Sequence, residues 1–79
     1  MAMEIYLPDL GGDSESATIK TWHFNEGDRV NEGDDLVEIQ NGSAILNLPS
    51  PCSGVLLEII VEAGDIAEIG EAIATIDEE

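Results

Sequence analysis

The sequence predicts an all-β sandwich of short strands, built as two similar halves around a pseudo-twofold axis. Three observations predict it. Eight glycines and three prolines in 79 residues punctuate the chain every few positions and leave little room for long helices. The runs between them are short, apolar or alternating, and rich in β-branched residues. The second half also repeats the first. Gly27 and Gly64, Asp28 and Asp65, Gly33 and Gly70, Leu36 and Ile73, and Ile39 and Ile76 are each 37 residues apart. Ile19 and Leu56, and Phe24 and Val61, share that offset. So short a unit cannot hold a core alone, so the halves pack on one another in a single small domain, residues 1–79.

The strands are expected at residues 4–7, 17–24, 28–30, 35–40, 43–48, 54–61, 65–67 and 72–76. The first alternates, with Ile5 and Leu7 on one face. The second, 17–24, and the sixth, 54–61, are the longest runs. Thr18, Ile19, Thr21, Trp22 and Phe24 give one its β bias, and Ile59, Ile60 and Val61 the other. Gly-Asp steps at 27–28, 33–34 and 64–65 open the strands that follow. Leu7-Pro8 and Leu48-Pro49 match at an offset of 41 rather than 37. That difference implies four extra residues in the first half and an enlarged, Gly- and Asp-rich loop at 9–16. The core is expected from Ile5, Leu7, Ile19, Trp22, Phe24, Val30, Leu36, Val37 or Ile39, Leu46, Leu48, Ile59, Val61, Ile66, Ile73 and Ile76. The aromatic pair Trp22 and Phe24 should face its aliphatic counterparts Ile59 and Val61 across the axis.

Charge narrows the function. Eighteen acidic residues stand against Lys20 and Arg29, a formal net charge of −16. Such a surface repels phosphate backbones and anionic lipid, so no nucleic acid and no membrane is expected as partner. A basic protein surface suits it better. One cysteine, Cys52, excludes an internal disulfide framework, and it reads as an exposed or half-buried thiol after Pro51. No apolar run approaches a membrane span and no signal peptide is evident, so a cytoplasmic location and a monomer are expected.

The chain also resembles a known family. Leu7-Pro8-Asp9-Leu10-Gly11, Glu26-Gly27-Asp28-Arg29-Val30, Gly33-Asp34, Leu36-Val37-Glu38-Ile39, Pro49-Ser50-Pro51 with Gly54, and Gly64-Asp65 are similar to the lipoyl domain of 2-oxo acid dehydrogenase acyltransferases (dihydrolipoamide acyltransferases), within the biotinyl/lipoyl carriers. The resemblance covers nearly the whole chain. It implies a flattened barrel of two four-stranded sheets, a barrel-sandwich hybrid, and partners among the components of a 2-oxo acid dehydrogenase complex. It also implies a carrier site. In that family the turn after the Leu-Val-Glu-Ile strand carries Asp-Lys-Ala, and lipoate, the family's cofactor, is held on the lysine amine through an amide. Aligned without gaps, Gly42, Ser43 and Ala44 occupy that turn. The two methionines that flank the lysine of biotin carriers are replaced by Gly42 and Ala44.

A serine hydroxyl cannot form that amide, and no nearby His or Cys in the sequence activates it. The one lysine, Lys20, falls mid-strand and reads as solvent-facing. No cofactor is therefore expected on the chain as written. Three accounts of the serine stay open. The chain is a degenerate carrier kept for docking or assembly, or a swinging-arm carrier in mutated form, or the hydroxyl itself is used. Asn41-Gly42 is a favourable pair for a tight hairpin turn under each of them. In the family the enlarged loop helps partner enzymes choose their carrier, so Asp9, Leu10, Gly11, Gly12, Asp13 and Ser14 are the partner-binding candidates, and by symmetry the loop should lie near the turn.

Other chemistries are weaker. Asp13-Ser14 has the order of a phosphopantetheine site, but such carriers are helical. His23 between Trp22 and Phe24 reads as a packing or half-exposed residue rather than a catalytic one. There is no spaced His/Cys metal set, and Asp34-Asp35 and Glu78-Glu79 read as solvated acids. Catalysis by the chain itself is not expected.

Overall fold

The computed structural model describes residues 1–10 and 15–79. Each expected strand forms: β1 (Ala2–Tyr6), β2 (Ser16–Trp22), β3 (Arg29–Val30), β4 (Asp35–Asn41), β5 (Ala44–Pro49), β6 (Gly54–Ile59), β7 (Ile66–Glu68) and β8 (Ala72–Glu78). No helix occurs among the described residues. The strands make two four-stranded antiparallel sheets, ordered β1-β8-β6-β3 and β5-β4-β2-β7. This is the barrel-sandwich hybrid that the sequence suggested.

The internal repeat is a real axis in the backbone. Gly27 N donates to Leu56 O and Gly64 N to Ile19 O, both at 2.7 Å. Leu56 N donates to Asp28 O and Ile19 N to Asp65 O, both at 2.9 Å. Each bond of one half is met by its partner 37 residues away. Backbone torsions agree as well: φ is 94° at Gly27 and 96° at Gly64, and 90° at Gly33 and 87° at Gly70. The turns ahead of β4 and β8 are each closed by an acid. Asp34 Oδ2 accepts from Asn31 N and Glu71 Oε1 from Glu68 N, which satisfies a donor that the turn would otherwise leave to water.

One equivalence differs from the sequence reading. Val37 faces Leu48 and Ala74 faces Ile5; Asp35 faces Pro49 and Ala72 faces Tyr6. Strands β1 and β5 are therefore related by 43 residues, not 41, and the Leu-Pro match is out of register by two. An offset of 43 against 37 leaves six extra residues in the first half, not four. Hydrogen bonding, not the shared dipeptide, sets the alignment.

The core runs between the sheets. Leu7, Ile19, Val30, Leu36, Val37, Ile39, Leu56, Ile73 and Ile76 are fully enclosed. Both Val37 and Ile39 are inside, because a bulge between Asp35 and Val37 in the β4–β5 pairing turns Leu36 and Val37 to the core together. Ile73 and Ala74 repeat this in β8. Trp22, Phe24, Leu48 and Ile59 are half-buried against the core rather than within it. Trp22 does meet its counterpart segment across the axis, donating from Nε1 to Val61 O at 2.9 Å.

Three expectations are corrected. Ile66 is 66% exposed, because Ala67 is the inward residue of β7; its symmetry mate is Arg29, which also faces out. Leu46 is exposed on the edge strand β5. Cys52 is buried, not exposed or half-exposed. The turn folds it under, and Ser50 Oγ donates to its carbonyl at 2.7 Å.

Candidate functional site

Strands β4 and β5 form a hairpin whose last facing pair is Asn41 and Ala44. Gly42 and Ser43 are thus the two central residues of the loop. Gly42 has φ +62°, and Ser43 keeps a negative φ. That is the φ pattern of a type II′ turn, which takes glycine at its first central position. The pair Asn41-Gly42 is therefore not the turn centre. Gln40 Nε2 donates to Gly42 O at 3.0 Å and braces the loop from β4. Gly42, Ser43 and Ala44 are all exposed, so the hairpin presents Ser43 to solvent.

The other candidates sort around this tip. Strand β2 runs antiparallel to β4 with Thr18 opposite Gln40, so the start of β2 lies at the same end of the sheet as the tip. The C-terminal flank of the enlarged loop, Glu15 and Ser16, enters there. Of the loop candidates, Asp9 is exposed and Leu10 is half-buried against the core; Gly11, Gly12, Asp13 and Ser14 lie outside the described residues. Lys20 is exposed on β2. His23 falls just beyond β2, is exposed, and its Nε2 lies 2.8 Å from Asn47 Oδ1 on β5. Among the described residues no cluster of His, Cys, Asp and Glu could hold a metal ion. Burial raises the Cys52 thiol pKa, helped by the charges of Glu78 and Glu32, so this thiol is held in its unreactive form.

The sequence profile of the biotin/lipoyl family, described as biotin-requiring enzymes, matches residues 3–76. The chain belongs to the biotin/lipoyl family. Its similar relatives include the dihydrolipoyllysine-residue acetyltransferase component of the pyruvate dehydrogenase complex of Staphylococcus aureus, 40% identical over 77 residues. The same component of Staphylococcus epidermidis is 39% identical over 77 residues. Each match takes in 98% of this chain but only 18% of the relative, so the chain spans less than a fifth of the length of those relatives.

Membership of the biotin/lipoyl family raises a chemical test at the hairpin tip. An amide-linked arm needs a primary amine, and the tip supplies the hydroxyl of Ser43 between Gly42 and Ala44. These residues do not fit an amide-held group. The sequence reading missed the role of Gly42. Gly-Ser is itself a two-residue hairpin signature, and counting back from the β4–β5 pairing would have found it.

Proposed function

We propose that residues 1–79 are a single lipoyl-like domain of a 2-oxo acid dehydrogenase-type acyltransferase. It does not carry lipoate and works as a non-catalytic docking or structural module in the complex. The carrying observation is the hairpin tip, an exposed two-residue turn with Gly42-Ser43, which the sequence resemblance aligns with the family's lipoyl-lysine turn. The relatives support the setting through their place in the pyruvate dehydrogenase complex. Asp9, Leu10, Gly11, Gly12, Asp13 and Ser14 are the proposed partner-binding residues. One observation favours a second reading, a swinging-arm carrier in mutated form. The loop keeps two central residues, so the scaffold for a presented lysine is intact.

The test is the intact mass of the chain after co-expression with lipoate ligase and a phosphopantetheine transferase. The bare mass is expected. Added mass on Ser43 or Lys20 overturns the proposal and names the attached group. Ser43→Lys then separates the two readings. Ready lipoylation of that variant supports the mutated carrier, and persistent bare mass supports a module that has lost more than the lysine. Gly42→Asp should be made separately, because an L-residue at φ +62° costs about 1 kcal/mol.

A further inference from the structure

The charge of this chain is unevenly spread. Residues 39–57 contain no charged side chain, in a sequence with 18 acids. That interval forms the hairpin tip, all of β5 and the first part of β6. Strand β5 is also a sheet edge. Edge strands are ordinarily guarded by charges, bulges or cover; β5 instead exposes Ile45 at 57% and Leu46 at 39%. In a hairpin closed by Asn41 and Ala44, facing residues alternate between bonded and non-bonded pairs. Ile45, opposite Gln40, and Asn47, opposite Glu38, therefore direct their backbone N–H and C=O away from β4. Among the described residues the guards are Pro49 and the bulge opposite it, both at the far end of the strand.

The edge continues into a groove of about 440 Å³ between β5 and β1, the edge strand of the other sheet, floored by Met3, Ile5, Tyr6, Leu48 and Pro49. Acids surround this neutral surface. Glu4 lines the groove, and Asp35 and Glu38 face Pro49 and Asn47 from β4. The two cations of the side chains lie elsewhere, Lys20 on β2 and Arg29 on β3, the latter paired with Glu79.

We infer that the β5 edge and its groove bind an extended polypeptide segment of a partner protein, with apolar and basic residues alternating. Such a segment adds a strand at Ile45 and Asn47, seats its apolar side chains against Leu46, Leu48 and Tyr6, and turns its lysines or arginines to Glu4, Asp35 and Glu38. A second copy of this chain fits less well, because each copy carries a net charge of −16 and supplies no cation at this edge. The inference does not depend on whether Ser43 is modified, since the edge is the same with a bare or a loaded tip.

The experiment uses the isotope-labelled chain and a seven-residue peptide of alternating lysine and valine, followed by amide NMR shifts. A second peptide has proline in place of its central valine, which removes one ladder donor. Expected are shifts concentrated at Ile45 and Asn47, about tenfold weaker binding of the proline peptide, and a similar loss for Ile45→Lys. Equal binding of both peptides, or shifts spread over the acidic surface, would mean simple charge attraction and overturn the inference. So would no shift with peptide at about 1 mM, or self-association of the chain that Ile45→Lys abolishes, which would make a second copy the occupant.

Discussion

Replacing Gly54 by alanine should be among the most damaging single-methyl changes in this molecule. Gly54 opens β6, where Val30 on β3 and Glu78 on β8 flank it on either side. A Cβ built there would lie 2.1 Å from Asp77 O, 2.8 Å from Asp77 C and 3.1 Å from Glu78 Cα. All three are backbone atoms, so no side chain can swing aside; β6 and β8 must part by roughly 1 Å to reach ordinary contact. Overpacking of this kind costs about 1–3 kcal/mol, and the upper end applies where the obstacle is a sheet backbone. A chain of this size holds about 4–12 kcal/mol in all. At about 4–8 °C per kcal/mol, 3 kcal/mol lowers Tm by roughly 12–24 °C. The comparator is Gly64→Ala. Its Cβ would meet nothing within 4 Å, and only the backbone at φ +96° is strained, for about 1–2 kcal/mol. Thermal melts followed by circular dichroism, with urea midpoints, give both values. A Gly54→Ala protein as stable as Gly64→Ala, or more so, would refute the steric reasoning.

Two further outcomes follow from the described contacts. Cys52 should react slowly with a thiol reagent in the native protein and rapidly in urea. Its buried thiol ionises later than the unfolded one, which ionises near pH ~8.5, so the unfolded state releases its proton first and stability falls as pH rises past that value. Cys52→Ala should flatten part of that fall in pH-dependent urea titrations; the raised Met1 amine, bound to Asp77, contributes in the same direction and remains. Trp22→Phe deletes the Nε1 donor to Val61 O and should cost about 1 kcal/mol in urea unfolding; an unchanged midpoint would show that water satisfies that carbonyl equally well.

Much of this was readable along the chain because the signals were local. Glycines at positive φ must be glycines, so Gly27, Gly33, Gly64 and Gly70 marked the turns and their spacing marked the repeat. Alternation gave the strands within one or two residues at most ends. Where the observed core departs from the expected one the cause is shared: side-chain direction along the strand, not hydropathy alone, decides burial. Ile66 and Leu46 are apolar yet face outward, while Ala17, Ala67 and Ala74 are small yet buried. The repeat held the remedy for Ile66, whose mate is the outward-facing Arg29. Leu56, fully enclosed, is absent from the expected core although its mate Ile19 is in it, so the repeat held the remedy there too.

By itself the sequence determined the eight strands, the twofold plan, the acidity and the absence of an amine at position 43, because composition and turn chemistry are properties of short stretches. Only the tertiary structure decided which residues are the turn centre, how β1 and β5 align, and which edge is left bare. Those depend on cross-strand hydrogen bonds between residues far apart in the chain. Ala17 and Gly54 make the point: they occupy matching positions 37 apart, and a methyl group is accommodated in one half while the backbone of β8 forbids it in the other.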